Sequence, residues 1–340
     1  MLSLFTMALL VSPLISSTLA NYTLSQDYTG RAFYDGFDFF TDADPTNGHV
    51  KYLDKENANN SGIAGLMSSS TINNAVYLGM DAVNEAPEGR RSIRVQSQKA
   101  FNRGLFIADI AHMPGGICST WPAFWLVGPN WPASGEIDIL EGVNEQTGNS
   151  FTLHTGPGVV VSNNASFTGQ LVTPNCDVNA PGQDKNAGCT ISTNDTATYG
   201  KGFNENGGGV YATEWTSSAI NIWFFPRNAI PADIVQGNPR PCESWGPPRA
   251  VFSGDFKVDD HFKDLNIVFD TTFCGDWAGK VWAQSSCASQ APTCEEFVTK
   301  NKSAFREAYW AVNSVKVFEK MGDAPKLRTR SGGAVLPPLP

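Results

Sequence analysis

Apolar residues fall in short runs along most of the chain, and several of these runs alternate with polar positions. Residues 92–97 (SIRVQS) alternate with a period of two, the pattern of a strand with one buried face. Residues 104–110 and 121–127 are apolar and rich in aromatic or branched side chains, and also read as strands. The same reading applies to residues 150–155, 210–215, 220–225, 265–270 and 312–318. Clusters of Gly, Pro, Asn and Ser separate them, the spacing of a sandwich rather than of strand–helix–strand units. One short helix is predicted, where Thr293 and Glu296 form a capping box ahead of Phe297 and Val298. No fixed repeat and no linker divides residues 21–320. The pattern therefore predicts one all-β domain of two packed sheets, with a loose tail over 321–340.

One strand breaks its own alternation. In the segment WPASGEIDILEGVNE, Glu136 and Asp138 share a face while Ile137 and Ile139 point into the core. Glu141 comes three residues after Asp138, so a regular strand would bury it beside Ile139, where an unpaired carboxylate is very costly. A β-bulge near Leu140 returns Glu141 to the face of the other two, and bulges concentrate next to active sites.

The charge pattern bears on what these three carboxylates do. The chain has 24 basic and 33 acidic residues, a net charge of −9, and no Lys or Arg from Gly104 to Asp184. Three carboxylates on one strand thus lack a local cation, and a proton held at neutral pH is the simplest relief, as acid/base chemistry requires. A solvated acidic face and a calcium site are the alternatives. Trp121, Trp125 and Trp131 precede the carboxylates, His154 follows them, and Trp277 lies in a CGDWAG segment. Flat aromatic faces suit stacked sugar rings, and Trp131, in a loop five residues before Glu136, is the better platform candidate. Trp125 alternates with Phe124, so one of the two faces inward.

Other classes fare poorly. Net acidity argues against nucleic acid and against anionic membranes as partners. There is no Gly-x-Ser-x-Gly elbow, no His-Glu-x-x-His zinc motif, no phosphate-binding glycine loop and no Cys-x2-4-Cys pair. No cofactor is called for. Without a heptad pattern, a monomer is the default.

Residues 1–20 are uncharged, apolar over 2–15 and end in small residues, the form of a secretory signal peptide. Sequons at Asn21, Asn59, Asn164, Asn194 and Asn301, together with seven cysteines, fit an extracellular, oxidising setting. Cys176 and Cys189 flank one loop and are candidates for pairing. An odd count leaves one thiol free or intermolecular.

Taken with their flanks, these residues resemble glycoside hydrolase family 16, and within it the secreted fungal endo-β-1,3(4)-glucanases. The Glu-x-Asp-x-x-Glu pattern is met by Glu136, Asp138 and Glu141, flanked by WPAFW (121–125) and GPNW (128–131). The likeness runs from about Tyr28 to Trp310. It implies a concanavalin-like β-jelly-roll sandwich of two antiparallel sheets, with a glycan cleft on a concave face. It implies Glu136 as nucleophile, Glu141 as general acid/base and Asp138 as the group that orients Glu136. It places His154 near Glu141, and Arg94, Trp125, Trp131 and Trp277 along the cleft, with β-glucan as the partner. The same fold also carries glucan transglycosylases and non-catalytic glucan-binding modules, and the two glutamates present here argue against the latter.

Overall fold

The structure is a computed structural model that describes residues 22–69, 74–241 and 243–320. The expected signal peptide, the sequon at Asn21, the 321–340 tail and Cys242 lie outside the described residues.

The apolar runs become two eight-stranded sheets. In one, Gly104–His112 lies at the centre, between Gly209–Trp215 and Trp310–Lys320. In the other, Glu136–Glu141 lies between Thr120–Val127 and Ser150–His154. Thr120–Val127 continues to Leu265–Phe273, then to Arg94–Phe101 and Phe37–Phe39. The pairings inside both sheets are antiparallel. A short parallel pair, Val50–Tyr52 with Arg90–Ser92, stands apart.

Period two decides what each strand buries. Phe106, Ala108 and Ile110 of one sheet meet Phe124, Leu126, Ile137, Leu153, Ile267 and Phe269 of the other in the main core. Burying each Phe, Leu or Ile among these stabilises the fold by about 1.5–3 kcal/mol before chain entropy is charged against it. Phe124 therefore faces inward and Trp125 outward, where Ala123, Trp125, Val127 and Val268 form a separate cluster with Trp131. Residues 222–225 read as continuously apolar for another reason. Trp223 and Phe225 face away from the core and are covered by Trp245, Ile230 and Ile234.

The predicted helix forms with Thr293 as its N-cap: Thr293 Oγ1 accepts the Glu296 N–H at 3.1 Å, while the Glu296 carboxylate pairs with Lys300. The expectation of a single helix needs correction. Arg31–Gly36, Lys55–Asn60 and Gly200–Glu205 are helical over 6 residues each, and Ala232–Val235 and Val258–His261 over 4. Elements of one to two turns are too short to show a 3.6-residue period. Disulfides join Cys118 to Cys287, Cys176 to Cys189 and Cys274 to Cys294. The paired loop cysteines 176 and 189 are thus as expected.

Candidate active site

The outward face of the second sheet carries the site, and the bulge builds it. Glu136 pairs with Val127 and Asp138 with Trp125, but Leu140 then pairs with Phe124 and Glu141 with Ala123. On the other side Asp138 faces Thr152 and Glu141 faces Ser150. Two residues, Ile139 and Leu140, occupy the space of one, and both enter the core with Ile137. Glu136, Asp138 and Glu141 are left on one face, as the spacing required.

The flanking strands supply their surroundings. His154 stands directly across from Glu136. Its Nε2 lies 3.3 Å from Asp138 Oδ2 and 3.9 Å from Glu136 Oε1. Antiparallel register sets His154 at the Glu136 end of the carboxylate row, and its charge still reaches Glu141, where it lowers the carboxyl. Trp131 packs on the Ala123–Trp125–Val127 cluster at that same end. Its indole N–H makes no full hydrogen bond among the described residues, yet lies near enough to Glu136 to favour the anion.

At the other end, Trp121 donates its indole N–H to Glu141 Oε1 at 2.8 Å. Trp277 meets Trp121 edge to face, with ring centroids 5.6 Å apart. Trp277 is carried by the segment Gly275–Gly279, which follows directly on Cys274 and its disulfide to Cys294. Asn144 holds that segment from the carboxylate side by donating to Ala278 O at 3.0 Å.

Arg94 and Trp125 are on the cleft face, but both are buried, at 4% and 8% exposure. They form its floor rather than an open wall. The Arg94 guanidinium lies 4.6 Å from the Phe40 ring centroid and 5.2 Å from that of Trp125. Beside them is Asp270, the register partner of Arg94, which accepts the Trp125 N–H at 3.3 Å. The sequence places Trp121 among the aromatic surroundings but gives no sign of its bond to Glu141. Asp270 is not among the residues the sequence singles out. Asp270 gave one sign, a carboxylate inside the apolar run 265–270.

Burial dominates the electrostatics. It pushes the carboxyls of Glu136 and Asp138 well above their ordinary range, with further upward pressure on Glu136 from Asp138 and on Asp138 from Asp270. The His154 ring and the Trp131 N–H oppose the rise at Glu136. Glu141 is raised to about 8 by burial and by Asp138, against the Trp121 hydrogen bond. Asp270 is raised to about 7 by burial, against the nearby Arg94 charge. Burial thus favours the neutral form along the row, and Glu141, raised to about 8, is the group that fits the one proton the lack of local cations called for.

Among the described residues, two side-chain groups have the closeness of metal ligands. Ligand atoms of Glu136, Asp138 and His154 lie within 4.8 Å of one another. Two carboxylates and an imidazole do not match the six to eight oxygens that calcium takes. Cys118, Cys287 and Glu145 also cluster, but the two sulfurs are bonded to each other and offer no thiolate.

The comparisons with known proteins agree with one another. The family description "XgeA-like, catalytic GH16 domain" matches residues 37–318. An endo-1,3(4)-β-glucanase of Arthroderma benhamiae is 46% identical over 321 residues, covering 93% of this chain and 69% of that protein. The chain spans about half the length of the Aspergillus relatives it matches, 48% in the case of A. fumigatus. Among solved structures, laminarinase 16A of Phanerochaete chrysosporium, with β-glucans in donor and acceptor sites, superposes at a TM-score of 0.79 with 39% identity. An elongating family 16 β-1,3-glucosyltransferase superposes at 0.80 with 42% identity. Each covers 88% of this chain and 100% of its own. With the jelly-roll sandwich, the bulged carboxylate strand and a family match over most of its length, the chain belongs to glycoside hydrolase family 16.

Proposed function

We propose that this protein is a secreted, endo-acting, retaining hydrolase of β-1,3- or mixed β-1,3/1,4-glucan, with residues 21–320 as its catalytic unit, 1–20 as a signal peptide and 321–340 as a tail. The observation that carries the reading is the bulge, which sets two glutamates on one buried, aromatic-walled face with a carboxylate between them. In this reading Glu141, raised to about 8, enters the reaction protonated and gives its proton to the leaving glycosidic oxygen. Glu136 must be the anion to attack the anomeric carbon, and His154 and the Trp131 N–H work toward that state against the burial and the Asp138 charge that oppose it. Water then attacks the glycosyl–enzyme ester while Glu141, now ionised, takes its proton. Retention requires the two carboxyls to approach within about 5–5.5 Å. Asp138, within reach of His154, orients Glu136, and Trp131 and Trp277 offer ring faces to the sugar.

The test is proton NMR of the first turnovers on a soluble β-1,3-glucan. The β anomer is expected as initial product, and initial α anomer would overturn the assignment of Glu136. A second reading, transfer of the glycosyl group to another glucan, is favoured by the likeness to the elongating glucosyltransferase. Products longer than the starting oligomer, in place of reducing ends, would establish it.

A further inference from the structure

A bulge re-aims a side chain at a cost, because the extra residue leaves ladder groups without their strand partners. Here the orphaned groups are Ile139 C=O and Glu141 N–H, at the point where both ladders lose register. A single side chain takes both. Asn149 accepts the Glu141 N–H on Oδ1 at 2.8 Å and donates from Nδ2 to Ile139 O at 2.8 Å. Its amide thus stands in for a peptide unit, with one donor and one acceptor set toward the bulged strand.

Asn149 is itself fixed. It is fully buried. Its own N–H donates to Thr198 Oγ1 at 3.2 Å, and its carbonyl accepts from Thr193 N at 3.1 Å. Gly148 lets the chain come this close, since a Cβ there would lie 1.9 Å from Thr193 O. The segment 193–198 therefore anchors Asn149, and Asn149 anchors the backbone nitrogen of Glu141.

We infer that Asn149 is a positioning residue for the general acid: its amide fixes the bulge at Ile139 and Glu141 and so sets the aim of the Glu141 carboxyl at the leaving oxygen. This rests on the reading of Glu141 as acid. Misplacement of a catalytic group by about 1 Å costs on the order of 100-fold, and the loss falls on the step that needs the proton.

The experiment compares two substrates by kcat/KM, which reports cleavage up to the glycosyl–enzyme. One is a β-1,3-glucan oligomer, whose leaving sugar needs protonation. The other is a 2,4-dinitrophenyl β-glycoside of the same oligomer, whose leaving group does not. Asn149→Ala is expected to lose about 10- to 100-fold on the oligomer and less than about threefold on the activated glycoside. Equal losses on both, or no loss on either, would overturn the inference, and a purely structural role would lower the melting temperature without splitting the substrates. If Asn149→Ala does not fold, Asn149→Asp decides. It keeps the acceptor for Glu141 N–H but not the donor to Ile139, and must show the same split at smaller size. Glu141→Gln is run alongside. Wild-type turnover of the oligomer by that variant would sink the acid assignment itself, whereas a slow Glu141→Gln with a normal Asn149→Ala sinks only the inference.

Discussion

The indole N–H of Trp121 and the carboxyl of Glu141 share a 2.8 Å hydrogen bond inside a site where burial otherwise drives the carboxyl upward. The donor stabilises the anion, so Trp121 restrains a rise that burial and Asp138 impose. It also ties the acid to the aromatic wall, because the same indole meets Trp277 edge to face.

Replacing Trp121 with Phe keeps the ring and removes the donor. A hydrogen bond to a charged group is worth about 1.5–3 kcal/mol, and about 1.36 kcal/mol corresponds to one pKa unit. The Glu141 carboxyl should therefore titrate about one to two units higher than its present value of about 8. The alkaline limb of the kcat/KM profile should move up by that amount. A limb that stays in place or moves down would show that this hydrogen bond does not set the acid's titration.

Buried acids also make stability depend on pH, with a definite sign. Asp270 titrates near 7 in the fold against an ordinary 3.8, and Glu141 near 8 against 4.5. Between those values the folded chain binds more protons than the unfolded chain, so stability falls as pH rises. The contribution is complete below about pH 4 and is lost through pH 7 to 8. Thermal melts should give a melting temperature roughly 5 °C or more higher at pH 5 than at pH 8. Asp270→Asn should flatten part of that slope. A melting temperature that climbs from pH 5 to 8 would contradict the raised values.

What the sequence revealed of all this follows the range of the interactions. The strands and the bulge were legible because period two and its violation at Glu141 are local. The facing of Trp125 was not, because both Phe124 and Trp125 are apolar and only the opposite sheet decides between them. Asp270 escaped notice because its partner Trp125 is 145 residues away. The same holds for the Cys118–Cys287 bridge, with its separation of 169, whereas Cys176 and Cys189 are 13 apart and were paired from spacing. The contacts of His154 with Asp138 and Glu136 were not legible, since register across a hairpin depends on the bulge and on the length of the turn before Ser150.

The two glutamates should separate by chemistry rather than by stability. Both sit where burial penalises the anion, so exchanging either for glutamine removes a desolvation cost and a repulsion with Asp138. Glu136→Gln and Glu141→Gln should each fold with a melting temperature at pH 8 no lower than that of the parent. On a β-1,3-glucan both should fall by orders of magnitude, with about 10²–10⁴-fold expected for loss of the general acid. On a 2,4-dinitrophenyl glycoside their first steps should part: Glu141→Gln still forms the glycosyl–enzyme and shows a burst of dinitrophenolate, while Glu136→Gln has no nucleophile and shows none. A burst from Glu136→Gln and none from Glu141→Gln would exchange the two roles, and near-parent turnover of the glucan by either variant would remove that residue from the mechanism.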